Sequence, residues 1–233
     1  MRKILGCIKR AQAEFNMIEN GDVVGVGVSG GKDSIALLYA LNLYRNFAPV
    51  SYSLKALTVD MGFPGFEAEK IKSFCDEQNI EFIHVKTEMG RLIFEERKEK
   101  NPCSLCSRMR RGLLNKVCIS HGITKLALGH HGDDLIQTLL MSMIYESRLN
   151  TFKPVTEFER TGVIQIRPMI FACEKDVEEA ASRHALPIVS NPCPASGNTR
   201  RETAKELVDI IEGRTGQSRS HMINALCRSE LTE

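Results

Sequence analysis

The chain has 233 residues and a net charge of +2, from 31 basic and 29 acidic side chains. That length suits one α/β domain with a substantial core. The near balance of charge neither demands nor excludes a nucleic-acid partner, so any basic patch has to be local. No apolar run reaches membrane-spanning length, and Arg2 and Lys3 interrupt the start too early for a signal-peptide core. A cytoplasmic protein is therefore expected, with its eight cysteines as thiols.

Residues 2–19 carry Ile4, Ile8, Ala11, Phe15 and Ile18 at helical spacing. The pattern predicts an amphipathic helix, packed on the sheet or on a partner, that ends at Gly21. Asp22 to Val28 is apolar after its first residue and reads as a strand buried on both faces of a parallel sheet. It runs into Ser29-Gly30-Gly31-Lys32-Asp33-Ser34, and a helix with apolar spacing follows to about Asn46. A strand, a glycine turn and a helix N-terminus offer free backbone N–H groups and the positive end of a helix dipole, which suits a phosphate. Lys32 adds a point charge, and Ser34 a hydroxyl for phosphate or metal.

Three nucleotide loops fit parts of this stretch. Gly25-Val26-Gly27-Val28-Ser29-Gly30 satisfies G-x-G-x-x-G, but that fingerprint wants an acid about 20 residues on. Val50 lies there, and Asp60 is the next acid. A Walker A loop would need glycine at Val26 and Ser/Thr at Asp33. Ser29–Ser34 taken whole resembles the PP-loop of ATP pyrophosphatases, in which the loop grips the pyrophosphate end of ATP while the α-phosphate is attacked.

Leu54 to Asp60 is the second strand, and it stops at an acid. Ligands sit at the carboxyl ends of strands in open parallel sheets, which puts Asp60 on the edge of Ser29–Ser34; a plain turn before Met61-Gly62 is the competing explanation. Phe66 to Gln78 reads as a helix and Glu81 to Val85 as a third strand, with His84 mid-strand and structural. Met89 to Lys100 is charge-rich and helical, a solvated face. Asn101-Pro102-Cys103-Ser104-Leu105-Cys106-Ser107-Arg108 then opens a helix running to His121. Its two thiols, three apart, converge near a first turn, where a helix dipole favours thiolate.

Thr124 to Gly129 is a fourth strand, followed by a second polar glycine turn, Gly129-His130-His131-Gly132-Asp133-Asp134, and a helix through Tyr145. Asp133 and Asp134 are candidate helix caps; His130 and an aspartate are candidate contacts to ATP or its Mg²⁺. Residues 147–161 read as loop and Val163 to Met169 as a fifth strand. Glu174 to His184 is a helix and Leu186 to Val189 a short strand. Asn191 to Gly197 is a rigid turn presenting Cys193. Thr199 caps a helix from Arg200 to about Glu212; Gly213 to Gly216 breaks it, and a last helix runs to about Leu226. The expected organisation is an N-terminal helix (1–20), a nucleotide-binding domain (21–198) and C-terminal helices packed on it (199–233).

Cys7, Cys75, Cys118, Cys173 and Cys227 lie in apolar or helical surroundings and read as small buried hydrophobes. Cys103, Cys106 and Cys193 lie beside prolines or in turns. Three thiolates suit an iron–sulfur cluster with one open iron, or a persulfide relay. A closed zinc site takes four ligands, and zinc stays open as an alternative.

Taken together these stretches resemble the tRNA 2-thiolation family of PP-loop enzymes, whose branches make 2-thiocytidine and 2-thiouridine. The matching pieces are Ser29–Ser34, Val59-Asp60-Met61-Gly62, Cys103-Ser104-Leu105-Cys106-Ser107-Arg108, Gly129–Asp134, Ile166-Arg167-Pro168-Met169 with Glu174-Lys175-Asp176, and Cys193-Pro194. The Cys-x-x-Cys followed by Ser-Arg and the Gly-His-His turn are similar to the cytidine branch, which often has arginine at Gly132 and a further cysteine near Ser196. Cys193-Pro194-Ala195 is closer to the uridine branch.

The resemblance implies a doubly wound α/β fold on a five-stranded parallel sheet. It implies a [4Fe–4S] cluster on Cys103, Cys106 and Cys193. ATP and Mg²⁺ would lie on Ser29, Gly30, Gly31, Lys32, Asp33, Ser34, Asp60, Gly129, His130, Asp133 and Asp134. Lys32 and Asp33 would serve catalysis with the three cysteines. It further implies a tRNA substrate, a sulfur donor (sulfide or a cysteine desulfurase persulfide) and a homodimer, which the N-terminal helix would serve. Arg108, Arg110, Arg111, Lys153, Arg200 and Arg201 are candidate contacts to the RNA backbone, or solvated helix faces. The competing functions are an amidotransferase-like ligase that adenylates a small molecule, and a nucleotide-binding module with a structural metal.

Overall fold

The computed structural model describes residues 1–97, 102–190, 192–194 and 200–229. In chain order the elements are α1 (Arg2–Phe15), β1 (Val23–Gly27), α2 (Lys32–Tyr44), β2 (Ser53–Asp60), α3 (Ala68–Glu77) and β3 (Glu81–Lys86). A short α4 (Met89–Arg91) continues as a π-helical turn, Leu92–Glu96, before α5 (Pro102–Ser120) and β4 (Lys125–Ala127). Then come α6 (Gly132–Glu146), β5 (Val155–Glu157), β6 (Ile164–Ile166), α7 (Glu174–Arg183), α8 (Arg200–Thr215) and α9 (Ser218–Arg228).

The strands form one sheet in the order β3-β2-β1-β4-β6-β5. Every pairing is parallel except β5 with β6. Five of the six strands expected from the sequence are present. The sheet's remaining strand, β5, lies within the segment read as loop. Three residues are too few to show an alternation, and β5 is an edge strand held by one neighbour. Leu186 to Val189 is not a strand; that segment is pinned to the first glycine turn by the Val189 N–H, which donates to the Gly30 carbonyl at 2.9 Å.

Both faces of the sheet are covered, which explains the near-continuous apolar strands. Val24 and Val26 of β1, Leu54 and Ala56 of β2, Ala127 and Ile166 point into one large core with α1, α2, α3, α6 and α7. Leu57, Ile83 and Leu126 point the other way, onto Leu114, Val117 and Cys118 of α5. The side-chain period of two in β2 sorts its residues between the two cores.

α1 buries Ile4, Ile8 and Ala11 against α7 and α2, and Phe15 stacks on Phe171 at 5.9 Å. Its apolar face is used within the chain, which is the first of the two packings its pattern allowed. The helix ends at Phe15, with Asn16 in the left-handed conformation, four residues before the end that periodicity suggested. Similarly α8 runs through Gly213 and stops before Gly216. The Thr199 cap and most of the Asn191–Gly197 turn lie outside the described residues, as does the end of the charged segment at Lys100.

α6 packs on α8 and α9. A Cβ built on Gly132, the first residue of α6, would run into Ile223 Cδ1 of α9 and lie 3.0 Å from the Ile170 carbonyl oxygen. Propensity alone favours alanine over glycine in a helix by about 0.5–1 kcal/mol. Here overpacking opposes it, at about 1–3 kcal/mol. Gly132→Ala should therefore lower the urea midpoint at unchanged slope; a raised midpoint would show that α9 is not seated on this glycine.

Candidate active site

The sheet order reverses between β1 and β4, and the crevice beyond that switch point is where open α/β sheets take ligands. The first turn leaves β1 at Val28, whose N–H donates to the Leu57 carbonyl at 2.7 Å. Its carbonyl accepts from the Thr58 hydroxyl at 2.9 Å. Gly30 takes φ +88°, and a Cβ there would meet Val189 Cβ at 3.0 Å. Ser34 Oγ donates to the Gly31 carbonyl at 2.9 Å and accepts from the Ser29 N–H at 3.1 Å. This internal bonding shapes the loop, while no side chain caps the N–H groups of the first turn of α2. Those donors and the helix dipole make an anion site.

The second turn meets the first across the switch point. A Cβ on Gly129 would lie 3.0 Å from both Asp33 C and Ser34 N, so a side chain there would push the two turns apart by a few tenths of an ångström. The His131 N–H donates to Asp134 Oδ2 at 3.0 Å, which makes Asp134 a capping residue of α6. Asp134 also pairs with Arg201 of α8. Its neighbour Asp133 does something else. It is buried, lies 2.6 Å from Arg219 Nε of α9, and accepts the Glu174 N–H at 2.7 Å.

A cavity of about 550 Å³ opens over these turns. That is the size of a small-molecule or cofactor site. Its wall takes Ser29, Gly31, Asp33 and Ser34 from the first turn, Asp60 from the end of β2, and Gly129, His130 and Asp134 from the second. Met61, Phe63 and Phe66 add an apolar side, α5 adds Ser104, Ser107, Arg108, Arg110 and Arg111, and β6 with its exit adds Gln165 and Arg167. Asp60 is both a turn residue and a wall residue: its Oδ1 accepts the Gly62 N–H at 2.8 Å. Behind it, His84 Nε2 is 3.5 Å from Asp60 Oδ2.

Several expected residues sit off the wall. Gly30 shapes the turn from outside it. Asp133 is withdrawn into its pair with Arg219, so it does not face the cofactor cavity as expected. Lys153 contributes its carbonyl, which accepts from Arg167 Nη1 at 2.6 Å. Arg200 lies over the Tyr145 ring, 4.6 Å from its centre. Lys32 Nζ is bound to Glu174 Oε1 at 3.1 Å and to Asp33 Oδ1 at 3.2 Å. Burial disfavours its charge, but Asp33 and Glu174 outweigh that and raise its pKa. Gly132 is enclosed by Ile223, so a long side chain has no room there. Ser196 lies outside the described residues.

The two segments that carry the thiols border the same cavity through Ser104, Ser107 and Pro192. At the start of α5 Cys103 is exposed, just before the wall residue Ser104, and Cys106 is half-buried, just before the wall residue Ser107; Arg110 Nη2 donates to Cys106 Sγ at 3.7 Å. Cys193 follows Pro192, another wall residue. Among the described residues no three Cys, His, Asp or Glu side chains converge on a metal-sized centre. The three thiols are thus on segments that border one cavity but are not gathered into one ligand set. Their chemistry is that of an iron–sulfur site, being sulfur only. Asp33, Asp60 and Asp134 offer hard oxygens to Mg²⁺, which binds through one or two carboxylates and completes its shell with phosphate and water.

Arg167 is a wall residue to which the sequence assigned no role, and His130, expected at the nucleotide, lies on the same wall. Arg167 is buried, and its charge is disfavoured by that burial, which brings its pKa down to about 10. His130 is packed on Phe152 at 5.0 Å, and burial, aided by Arg167, lowers its pKa to about 4, so the ring is neutral at pH 7. A lone arginine at the end of an otherwise apolar strand was the available signal for Arg167. Glu174, quoted only as part of a motif, joins Lys32 to Lys205 of α8, 2.9 Å away.

A twisted parallel sheet, a glycine-rich anion turn at its switch point and acids at the strand ends define a nucleotide-binding α/β protein of the phosphate-loop kind. The model of the PP-loop domain family matches residues 6–208, and the chain belongs to that family. A tRNA-cytidine(32) 2-sulfurtransferase from Geobacter metallireducens is 36% identical over 228 residues, covering 97% of this chain and 89% of the relative. One from Photorhabdus laumondii is 39% identical over 203 residues, covering 86% and 66%. Among solved structures, the U34-tRNA thiolase NcsA from Methanococcus maripaludis with its [4Fe–4S] cluster aligns with a TM-score of 0.78 at 27% identity, over 96% of this chain and 77% of that one. The NH3-dependent NAD synthetase of Campylobacter jejuni shares the fold, with a TM-score of 0.54 at 16% identity over 97% and 92%.

Burial raises the Glu174 pKa, but hydrogen bonds from Lys205 and Lys32 outweigh it and hold the carboxyl at about 2, against an ordinary 4.5. The folded value lies below the unfolded one. The stability it adds is therefore complete above about pH 4.5 and is lost as pH falls through about 2. Glu174→Gln should cost about 1 kcal/mol at neutral pH and flatten that part of the acid-unfolding curve followed by circular dichroism. An unchanged curve would show that the two lysine bonds do not form in solution.

Proposed function

We propose that this protein is an ATP-dependent tRNA sulfurtransferase that adenylates the C2 oxygen of a cytidine, at position 32, and replaces it with sulfur. The observation that carries this reading is that the phosphate turn and both thiol-bearing segments border one cavity. The sulfurtransferase relatives, aligned over nearly the whole chain, support tRNA and cytidine as the acceptor. The reading includes a sulfur donor, either sulfide or a cysteine desulfurase persulfide, a homodimer, and a cytoplasmic setting. No helix among the described residues is long and apolar enough to cross a membrane.

The C2 oxygen of a pyrimidine is a poor leaving group, and adenylation makes it a good one. The oxygen attacks the α-phosphorus, the bond to the pyrophosphate oxygen breaks, and pyrophosphate leaves with the electron pair. Free N–H groups of Ser29–Ser34 and of the first turn of α2 bind the phosphate charge where it develops. Asp33, Asp60 and Asp134 would share Mg²⁺ with the phosphates, and the ion would neutralise pyrophosphate as it departs. Lys32 reaches that charge by exchanging Glu174 for phosphate. A sulfide nucleophile then adds at C2, and AMP leaves with the electrons of the C2–O bond. Cys103, Cys106 and Cys193 would hold a [4Fe–4S] cluster, which supplies an open iron position for sulfur. Arg108, Arg110 and Arg111 face the cavity from α5 and suit the RNA backbone. Arg201, held by Asp134, and Arg200 and Lys153, off the wall, suit it less.

Nucleoside mass analysis of tRNA from cells lacking the gene should show loss of 2-thiocytidine, restored by the wild-type chain but not by Cys193→Ala. Persistence of that nucleoside would overturn the reading, and loss of 2-thiouridine instead would reassign the acceptor. Anaerobically purified protein should hold about four irons per chain; stoichiometric zinc without iron would remove the cluster from the proposal.

A further inference from the structure

The buried and part-buried cations among the described residues are compensated in different ways. Lys125 is 6% exposed and lies 3.3 Å from Glu19 and 3.9 Å from Asp22. Lys32 has Glu174 and Asp33, Arg201 has Asp134, and Arg219 has Asp133 and Asp209. Arg167 is also 6% exposed, but among the described residues no carboxylate pairs with it. Its Nη1 donates to the Lys153 carbonyl at 2.6 Å and to Thr156 Oγ1 at 3.2 Å. Its guanidinium carbon lies 4.8 Å from the centre of the Phe152 ring. These contacts fix the plane of the guanidinium without neutralising it. Its Nε is buried with no hydrogen-bond partner.

An ion withdrawn from water without a counter-charge costs several kcal/mol. Such a charge is retained where something else supplies the anion. Arg167 follows β6 directly, on the carboxyl edge of the sheet that carries both glycine turns, and it forms part of the same cavity wall. His130, on the same wall, has a buried Nδ1 without a hydrogen-bond partner. Its ring lies against the same Phe152. Two groups, each with a buried and unused nitrogen, thus flank one aromatic ring at the end of the cavity formed by β4 and β6.

We propose that Arg167, with His130 beside it, forms an anion subsite that holds the α-phosphoryl group as it passes from the nucleotide to the pyrimidine oxygen. This rests on the adenylation reading and names the group that reading leaves unheld. The turn of Ser29–Ser34 takes the departing pyrophosphate, whereas the α-phosphoryl group stays behind on the base. In this transfer the phosphorus–oxygen bond to the pyrimidine forms as that to pyrophosphate breaks. No proton has to move, because the attacking oxygen is a carbonyl. The phosphoryl charge persists through the transfer, and a rigid guanidinium fork matches it. A neutral His130 leaves the subsite with one full positive charge, facing a phosphoryl group that carries one negative charge as a diester of adenosine and base.

Binding of AMP and of adenosine to the full chain, measured by calorimetry without RNA, tests this apart from thiolation. Arg167→Met should weaken AMP about 10- to 100-fold and leave adenosine unchanged. Its urea midpoint should not fall, since an uncompensated buried charge is removed. Arg167→Lys should retain more AMP affinity than Arg167→Met. Unchanged AMP affinity in Arg167→Met overturns the proposal, whether tRNA binding weakens, pointing to an RNA phosphate, or the midpoint falls, pointing to a structural role. Equal AMP losses in the Met and Lys variants also overturn it. AMP binding through Arg167 in a protein that thiolates no tRNA would uphold the subsite and refute the sulfurtransferase reading.

Discussion

The close approach of two backbones governs this active site. Gly129 comes so near Asp33 and Ser34 that a single added carbon would sit 3.0 Å from main-chain atoms. That contact brings the turn after β4 against the N-terminus of α2, across the point where the sheet order reverses. A sheet of parallel strands would place both turns on one edge in any case. What it would not do is bring the capped end of α6 and the uncapped end of α2 into one wall. Two helix N-termini then bear on the same cavity, and their dipoles add. The acids Asp33, Asp60 and Asp134 offset part of that positive field.

Carboxylates also join the nucleotide edge to the C-terminal helices. Asp134 reaches Arg201 of α8, Asp133 reaches Arg219 of α9, and Glu174 connects Lys32 to Lys205 of α8. Each of these acids serves the local structure and a distant helix together. The pairs are partly buried, so their worth depends on every partner being present: losing one leaves a charge uncompensated. The main-chain position of α6 is tied to α9 twice over, by Asp133 and by the space that Gly132 leaves for Ile223. A side chain at Gly132 would have to displace α9, which gives the glycine there a packing cause within this chain.

Most of the fold was legible because its signals are long. Five apolar strands, each ending in polar or glycine residues, could be placed by run length, and the anion turn by its glycines. β5 was not legible, since Val155–Glu157 is short and takes its structure from β6 alone. At the site, residue type was readable and direction was not. Asp133 and Asp134 are adjacent at a helix start, where successive side chains point about 100° apart. Nothing in the sequence says that the first turns inward to Arg219 while the second faces the cavity. The side chain of Lys32 likewise follows Glu174, a residue 142 positions away. α1 had a clear apolar face, but which surface it would bury depended on α7, which forms much later in the chain.

Charge is divided within the cavity in a way that fits two different substrates. The acids come from the start of α2, the end of β2 and the start of α6, next to the free N–H groups that suit a nucleotide and its metal. The arginines come from α5 and β6: Arg108, Arg110, Arg111 and Arg167. A site for a nucleotide alone would have little use for the three guanidiniums of α5, away from its phosphate turn, because Mg²⁺ and helix dipoles already answer the triphosphate. A polyanion that enters from the α5 side would need them. The cysteines at the first turn of α5 lie on that same side, so a base brought in by its own backbone charge would arrive between the phosphate to be attacked and the sulfur chemistry that follows.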